Sequence, residues 1–580
     1  MVILGINAYH ADSSAAIFVN GTMIAAIEEE RFRRVKHWAG FPELAIRFCL
    51  EEAGVDFSQV DYFSIGRDPR AKFFRKLLYL VRHPHGSLSA VRERFQNSRN
   101  VSSIEQELAR LSGMPAADFK QKVIQVEHHR SHLASAFFAS PFEEAACLSI
   151  DGSGDFSTTM TAIGEGNDLT ILSSVDFPHS LGLFYTAFTQ LLGFPHYGDE
   201  YKVMGMAPYG QPTYVNDLQD VIKLTNDGLF SLALSYFRKG TSGIIQYGDD
   251  HIPLVAPLYS QLLVDRFGPV RSANEPLSQY HKDLAASVQR MTERTIFHIL
   301  NHLHEKTGLD KVCIAGGVAQ NSVANGKITR NTGFKQVYIP SAGHDAGISM
   351  GAALYTQHAL QRMARQPSIQ TAYTGSRFTN EAIRQLLDSQ SIDYEELSDE
   401  QLYDRVSDRL INGGVIGWFS GRAEFGPRAL GGRSILADPR RQDAKELLNA
   451  KIKRRESFRP FAPSILKEHV ADFFELDEPV PFMEKVFPIR KEKQSLIPAV
   501  THVDGSGRLQ TVDAAVSPRY YALIDAFYKK TGIPILLNTS FNENEPIVNK
   551  PEEALACYLR TNMDVLVMEN ILVERKIIPG

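Results

Sequence analysis

The sequence predicts an α/β protein with two or three domains, and three observations support this class. The chain has 580 residues, which is more than one hydrophobic core usually supports. Its hydrophobic fraction of 43%, with 41 glycines and 28 prolines, is ordinary for a globular α/β protein. Short apolar runs typical of buried strands alternate with longer segments of helical periodicity.

The net charge, the cysteines and the hydropathy of the chain argue against several kinds of protein. The net charge of −5 argues against a general nucleic-acid binder. The 4 cysteines are far apart, so we expect neither a disulfide framework nor a cysteine zinc site. The start Met1–Ile6 lacks the basic residues and apolar length of a signal peptide, and no run approaches about 18 apolar residues. We therefore expect a cytoplasmic protein with no nucleic-acid and no membrane partner.

The chain opens as a predicted β-meander. Apolar runs at residues 2–7, 14–19 and 23–27 predict three short strands, and Asn20-Gly21 is a type I′ turn signal between the last two. The charged stretch that follows, Glu28-Glu-Glu30, is interpreted as a solvated face.

A polar turn carrying His10, Asp12 and Ser13 separates the first two strands. A strand, a polar turn and a second strand is how actin-like ATPases present their first phosphate-contacting hairpin, although the pattern alone is a weak signal. His10 is either a turn histidine facing water or a general base, because neutral imidazole titrates near working pH.

A basic segment covers residues 67–121. Arginines and lysines are interleaved there with phenylalanines and leucines at the spacing of an amphipathic helix. Its basic face could meet RNA, an anionic lipid surface or an acidic partner, but we interpret it as a solvated or interdomain face.

A histidine pair and an aspartate predict a metal site. His128 and His132 are four residues apart on a predicted helix at 127–139, so they share one face about 6 Å apart along the axis. Asp151 ends the predicted strand 147–150 just before Gly-Ser-Gly. A lone histidine pair is usually structural, but the pair together with this strand end favours a divalent metal.

Two later strand ends carry further candidates. Gly316-Gly317 follows the predicted strand 312–315 and precedes Asn321, an arrangement that lets a base or ribose approach the backbone. Asp345 follows the next predicted strand, 336–340, within Gly-His-Asp-Ala-Gly.

The most distinctive stretch is Gly421-Arg-Ala-Glu-Phe-Gly-Pro-Arg-Ala-Leu-Gly-Gly-Arg-Ser-Ile-Leu436. Its 4 glycines and 3 arginines follow an apolar strand, so backbone and guanidinium groups could surround an anion such as phosphate. It is neither a Walker loop nor a dinucleotide fingerprint. The segment Lys451-Ile-Lys-Arg-Arg-Glu-Ser-Phe-Arg-Pro-Phe-Ala-Pro463 adds positive charge that needs a polyanion or solvent.

These motifs resemble the O-carbamoyltransferases that decorate antibiotics and rhizobial nodulation factors. The resemblance covers nearly the whole chain and is weakest at about 67–121 and 210–275. It implies an actin-like (ASKHA) two-lobed domain over residues 1–360, a linker at 361–377, and a YrdC-like twisted-sheet α/β domain over 378–580. His128, His132 and Asp151 match the metal motif of the related tRNA threonylcarbamoyl-transfer fold, and Asp345 takes the place of its last ligand.

The resemblance also implies a reaction and its cofactors. Carbamoyl phosphate and Mg-ATP would give carbamoyl-adenylate in the second domain, and the first domain would transfer the carbamoyl group to a hydroxyl. Donor types alone permit Fe(II), Mn(II) or Zn(II), and the resemblance implies Fe(II). His10, Lys453 and Arg459 are the expected catalytic residues. The expected nucleotide and carbamoyl phosphate contacts are Arg428, Lys453, Arg459, Arg508, Asn538, Gly316, Gly317, Asn321, Asp12 and Ser13.

Two other functions stay open on the sequence. One is threonylcarbamoyl transfer to tRNA, and the other is an actin-like scaffold that binds ATP without transfer. The fusion of both domains, the acidic net charge and the histidine–aspartate set argue against them. The acceptor, a small molecule with a hydroxyl group, is not specified by any motif, and a homodimeric state is left open.

Overall fold

A computed structural model describes residues 1–82, 104–238, 245–247, 251–453, 455–456 and 458–575. The chain divides into two compact units, Met1–Ile369 and Gln370–Gly580. Within the described ranges, no helix is both long and apolar enough to cross a bilayer.

The first sheet of unit 1 has the order β3-β2-β1-β4-β5. Its strands are β1 (Val2–Asn7), β2 (Ser14–Val19), β3 (Thr22–Glu28), β4 (Tyr62–Ile65) and β5 (Val123–Gln125). The first three strands form an antiparallel meander, and β4 and β5 continue the sheet in parallel with β1. The predicted meander is therefore confirmed.

The second sheet of unit 1 repeats this topology. It contains β6 (Glu144–Gly154), β7 (Ser157–Glu165), β8 (Asp168–Asp176), β13 (Lys311–Ala315) and β14 (Gln336–Tyr338). Its order is β8-β7-β6-β13-β14, with an antiparallel meander followed by two parallel strands. Two five-stranded sheets of identical order and direction are the architecture of an actin-like fold, as predicted. Two small hairpins lie outside these sheets: β9 (Ile222–Leu224) with β10 (Phe230–Leu232), and β11 (Ile245–Tyr247) with β12 (Pro253–Val255).

Helices fill the connections of unit 1. They span Glu30–Arg33, Glu43–Ala53, Phe73–Arg82, Ile104–Ser112, His128–Phe137, Leu181–Leu191, Glu200–Met206, Val215–Leu218, Gln261–Phe267, Gln279–Thr307, Ser322–Asn325, Ile328–Asn331 and Gly347–Leu354. The last of them continues as a π-helical turn, Tyr355–Leu360.

Unit 2 is built on an eight-stranded mixed sheet of order β15-β24-β23-β16-β17-β22-β18-β21. These strands are β15 (Glu395–Glu396), β16 (Ile416–Phe419), β17 (Arg433–Ala437), β18 (Ala462–Leu466), β21 (Gln510–Val512), β22 (Ile535–Ser540), β23 (Val565–Met568) and β24 (Ile571–Glu574). A separate pair joins β19 (Val486–Pro488) to β20 (Ser506–Arg508). The α/β class predicted for this part of the chain is confirmed.

The helices of unit 2 complete one apolar core with this sheet. They span Asn380–Ser389, Asp399–Ile411, Ala444–Leu448, Val470–Phe473, Lys491–Gln494, Pro518–Thr531 and Pro551–Arg560, with a π-helical turn at Asn449–Lys453.

One expectation about the charged stretch after β3 is wrong. Glu28 and Glu29 are buried, not solvated. Glu29 accepts hydrogen bonds from the backbone N–H groups of Leu44 (3.2 Å) and Ala45 (2.7 Å), at the start of the helix Glu43–Ala53. It therefore satisfies two of the N–H groups that the first turn of a helix leaves unpaired.

Replacing this carboxylate should destabilise unit 1. Glu29→Ala leaves two buried N–H groups without an acceptor, so we expect the free energy of unfolding to fall by about 1–3 kcal/mol. Chemical denaturation measures the loss, and Glu51→Ala, which removes an exposed carboxylate, is the matched control. Equal stability of both variants would contradict the capping role.

Candidate active site

Four buried side chains of unit 1 converge on one point: His128, His132, Asp151 and Asp345. Nε2 of His128 and Nε2 of His132 lie 3.1 Å and 3.3 Å from Oδ2 of Asp151. The same two nitrogens lie 3.8 Å and 3.4 Å from Oδ1 of Asp345. We call this set the metal cluster.

The metal cluster is assembled by elements from both halves of unit 1. The two histidines share one face of the helix His128–Phe137, and the Glu127 side chain caps that helix by accepting from Arg130 N. The helix Gly347–Leu354, which begins just after Asp345, crosses it at close range. A Cβ on Gly351 would lie 1.9 Å from the carbonyl oxygen of Ser131, so this approach requires glycine.

Asp151 is oriented by backbone donors. Its Oδ1 accepts from Gly152 N (2.7 Å) and Gly317 N (3.0 Å), which leaves Oδ2 facing the two imidazoles. Gly316 has a φ of +106° and lies against β6, where a Cβ would meet the carbonyl of Ile150 at 2.2 Å. The structure thus gives this glycine pair a role in holding Asp151, and their contact with a nucleotide stays a prediction.

The donor set fits a divalent metal ion. Metal–nitrogen and metal–oxygen bonds of about 2.0–2.2 Å in a tetrahedral site place donors about 3.3–3.6 Å apart, close to the separations in the metal cluster. Oδ1 of Asp345 is buried and has no hydrogen-bond partner among the described residues. Burial raises and the imidazoles lower the pKa of Asp151, and the net shift is well below its ordinary value. Two buried carboxylates facing two imidazoles therefore suit a bound cation.

His10 lies beside the metal cluster. Its Nδ1 is 2.9 Å from Oδ2 of Asp345, and its ring centre is 5.2 Å from that of His128. Burial lowers and the Asp345 carboxylate raises the pKa of His10, with a net upward shift. The carboxylate of Asp345 thus faces the metal cluster through Oδ1 and lies beside Nδ1 of His10 through Oδ2. Nε2 is the second nitrogen of the His10 ring.

Asn7 is a site residue that sequence reasoning missed. Its side-chain amide donates to the backbone carbonyls of Asp345 (3.0 Å), Asp12 (3.1 Å) and Ala11 (3.2 Å). It therefore ties the β1–β2 turn that carries His10 to the loop that carries Asp345. The signal in the sequence is an asparagine that ends an otherwise apolar strand.

Three other predicted contacts of unit 1 have protein partners. Asp12 pairs with Nδ1 of His37 (2.8 Å), and Ser13 Oγ donates to the carbonyl of Gly40 (2.8 Å). Asn321 exchanges amide hydrogen bonds with Gln289 and caps a short helix through Ala324 N. Their roles toward a nucleotide stay predictions.

In unit 2, three arginines lie around Arg508, and we call the four residues Arg428, Arg455, Arg459 and Arg508 the arginine cluster. Burial, with the positive charges of Arg428, Arg455 and Arg459, holds the pKa of Arg508 well below its ordinary value. Its Nε has no hydrogen-bond partner among the described residues. Because like charges repel in a partly desolvated site, this arginine cluster calls for a polyanion such as phosphate.

Lys453 and Asn538 lie at the strand end next to the loop 421–432. Nζ of Lys453 is buried and donates to the carbonyls of Ser540 (2.7 Å) and Asn542 (2.8 Å). Nδ2 of Asn538 donates to the carbonyl of Ala429 (3.1 Å), and its Oδ1 is buried without a hydrogen-bond partner among the described residues. Arg459 lies 3.5 Å from Glu456, and Arg454 is outside the described residues.

Two of the three arginines in the stretch 421–436 are structural, which corrects their interpretation as anion ligands. Arg433 is fully buried, stacks on Phe419 at 3.6 Å and donates to the carbonyls of Gly421 and Ser376. Arg422 donates to the carbonyl of Gly375 (2.9 Å). The loop itself folds around buried Glu424, whose Oε1 accepts from Leu430 N, Gly432 N and Arg433 N.

His502 is a second residue that sequence reasoning missed. Ser506 Oγ donates to Asp504 (2.6 Å), so Nδ1 of His502, at 3.2 Å, must donate to Ser506, and Nε2 keeps its lone pair. Burial, together with Arg508 and Lys445, lowers the pKa of His502 to about 4. His502 is therefore a neutral acceptor beside the arginine cluster, and the alternation His502-x-Asp504-x-Ser506-x-Arg508 is its sequence signal.

Two family models match this chain. Residues 2–354 match the family model described as carbamoyltransferase N-terminus, and residues 407–575 match the carbamoyltransferase C-terminus. The chain belongs to the carbamoyltransferase family. It is therefore an enzyme of carbamoyl transfer, and the resemblance drawn from its motifs is confirmed.

Several relatives span most of this carbamoyltransferase. Nodulation protein NolNO of Sinorhizobium fredii is 38% identical over 98% of this chain and 80% of its own length. Nodulation protein NolO of Bradyrhizobium diazoefficiens is 40% identical over 78% of this chain and 79% of its own. A Synechocystis protein described as uncharacterized protein sll1178 is 43% identical over 99% and 96% of the two chains.

The packing behind His128 offers a test of the metal cluster. In Gly154→Ala the added Cβ would lie 2.1 Å from the His128 ring, so the imidazole must move out of the cluster. We expect metal affinity to fall by at least about 10- to 100-fold. Gly152→Ala is the matched control, because its Cβ would meet no atom within 4 Å.

Metal content by elemental analysis and metal titration by calorimetry measure this loss. Undiminished metal content in Gly154→Ala would show that His128 does not hold the metal.

Proposed function

We propose that this protein is an ATP-dependent O-carbamoyltransferase that works through carbamoyl-adenylate. Water cleaves carbamoyl phosphate to carbamate and phosphate, carbamate attacks the α-phosphorus of ATP, and pyrophosphate leaves. An acceptor hydroxyl then attacks the carbamoyl carbon and releases AMP. The observation that carries the proposal is the carboxylate of Asp345, which serves the metal cluster through one oxygen and His10 through the other.

Unit 2 is the proposed place of carbamoyl-adenylate formation. Both reactants are polyanions, and positive groups stabilise phosphoryl transfer by neutralising charge as it builds. The arginine cluster supports this assignment, because burial and the charges of Arg428, Arg455 and Arg459 lower the pKa of Arg508. Asn538 would contribute its buried, unpartnered Oδ1.

Lys453 is proposed to contact a phosphate in unit 2. It is buried and held by Ser540 and Asn542, so it orders the strand end and would reach a phosphate only by exchanging these partners. Lys453→Met should therefore lose carbamoyl-adenylate formation and thermal stability together.

Unit 1 is the proposed place of transfer. His128, His132, Asp151 and Asp345 would hold Fe(II), which when bound would act as a Lewis acid toward the phosphate of carbamoyl-adenylate. His10, oriented through Nδ1 by Asp345, would take the hydroxyl proton of the acceptor at Nε2. Magnesium would accompany ATP, and the proposed compartment is the cytoplasm.

The acceptor is proposed to be a hydroxyl of a small-molecule natural product. The names of two relatives, nodulation proteins NolNO and NolO, support a secondary metabolite over a transfer RNA. The tRNA and non-catalytic alternatives have no structural observation in their favour.

Two substitutions should separate the half-reactions. His10→Ala removes the proposed base, so transfer to an acceptor should fall by about 10²–10⁴ while carbamoyl-adenylate still forms. Arg508→Met removes charge stabilisation in unit 2, so carbamoyl-adenylate formation should fall by at least about 10². Mass spectrometry of protein incubated with ATP, magnesium and carbamoyl phosphate measures the adenylate, and added acceptor measures transfer.

Controls use residues of the same type on the surface. His196→Ala and Arg405→Met should leave both half-reactions unchanged, since the first side chain is exposed and the second lies in a surface ion pair. Loss of carbamoyl-adenylate in His10→Ala, or its normal formation in Arg508→Met, would overturn the assignment of the half-reactions to the two units.

A further inference from the structure

The helix Phe73–Arg82 presents an apolar stripe to solvent. The exposed fractions of its side chains are Phe73 60%, Phe74 82%, Leu77 49%, Leu78 49% and Val81 69%. At 100° per residue these five positions fall within an arc of about 140° on one face of the helix. Soluble proteins rarely expose so many large apolar side chains side by side, and such patches usually mark an interaction surface.

The opposite face of this helix attaches it to unit 1. Tyr79 packs edge-on against Phe156 (5.7 Å) and Phe177 (5.8 Å), and Asp176 pairs with both Lys72 and Arg75. Phe74 and Val81, the most exposed side chains of the stripe, are therefore turned away from the fold. A helix that packs through Tyr79 and its basic residues, and leaves five large apolar side chains exposed, presents those side chains to something outside the unit.

The charges around the stripe indicate what it meets. Residues 69–82 contain Arg70, Lys72, Arg75, Lys76 and Arg82 and no aspartate or glutamate, in a chain whose net charge is −5. Arg70 is exposed, and Arg75 keeps 64% of its side chain exposed beside Asp176. Asp176 pairs with Lys72 and Arg75, so one carboxylate faces two of these cations and the border of the stripe keeps an excess of positive charge. An apolar stripe with such a border suits the boundary between lipid headgroups and acyl chains, where phosphates meet the cations.

Other occupants fit less well. A second copy of this helix in a two-fold interface would bring the same cations together. A nucleic acid would use the cations but leave the apolar stripe in water. We therefore propose that the helix Phe73–Arg82 docks this enzyme on an anionic lipid surface. With 10 residues it is about 15 Å long, half the thickness of a bilayer core, so it lies on the surface and does not span it.

The segment that leads into this helix touches the candidate active site. Arg67 donates to the carbonyl of Tyr9 (3.2 Å), next to His10, and Asp68 N donates to Asp155 (2.7 Å). Asp155 also accepts from the backbone N–H of His128 (3.0 Å). The helix is thus joined through residues 67–72 to the turn that carries His10. Membrane docking departs from the expectation of no membrane partner.

Flotation with lipid vesicles tests the docking without substrate. Wild-type protein should float with phosphatidylcholine vesicles containing about one-third phosphatidylglycerol, and the bound fraction should fall with rising salt and with Arg70→Gln. Phe74→Ser/Val81→Ser should reduce vesicle affinity at least tenfold. The matched control Leu262→Ser/Leu360→Ser, at two exposed leucines elsewhere in unit 1, should bind like wild type.

Each other outcome overturns the lipid assignment. If the wild-type protein does not float with the vesicles, the docking surface does not exist. The same holds if Phe74→Ser/Val81→Ser and Leu262→Ser/Leu360→Ser lose vesicle affinity equally. An oligomer that dissociates in Phe74→Ser/Val81→Ser would assign the stripe to contact between copies, and RNA competition for the vesicles would assign it to nucleic acid. An unchanged melting temperature shows that the variants still fold. Unchanged carbamoyl-adenylate formation shows that the proposed function is intact, so that a loss of vesicle binding reports on docking alone.

Discussion

The constraint on which unit 1 depends is the burial of two carboxylates, Asp151 and Asp345, against each other. Buried charges of the same sign are costly unless each is paired. Asp151 accepts from two backbone N–H groups, whereas Oδ1 of Asp345 has no hydrogen-bond partner among the described residues. His128 and His132 face both carboxylates, and His10 takes the outer oxygen of Asp345. A divalent cation among these donors would complete the balance of charge.

This arrangement sets strict demands on the surrounding backbone. The donors come from the helix His128–Phe137, from β6 and from the loop before the helix Gly347–Leu354. They meet only where glycine permits close backbone contact. Gly351 lets the helix after Asp345 lie against Ser131, and Gly317 brings its N–H to Asp151. Unit 2 differs from unit 1, because its arginine cluster gathers positive charge that suits an anionic substrate, with Glu456 beside Arg459.

The sequence predicted the parts of this protein that depend on short-range patterns. The meander, the histidine helix and the strand-end aspartates follow from periodicity and spacing along the chain, and the structure brings His128, His132, Asp151 and Asp345 together. The sequence alone could not identify the roles of residues whose partners are distant along the chain. Glu29 has the sequence context of a surface charge, but it accepts from Leu44 N at the start of a helix. Arg433 has the context of an anion ligand, but Phe419 and four backbone carbonyls enclose it. The orientation of His502 likewise requires the hydrogen bonds of Ser506.

The metal cluster is tested most directly by X-ray absorption at the edge of the metal that co-purifies with the protein. The account predicts two imidazole nitrogens and carboxylate oxygens at about 2.0–2.2 Å, with the imidazole signal reduced in His132→Ala. A metal coordinated only by water, by sulfur, or by the same imidazoles in wild type and His132→Ala would contradict it.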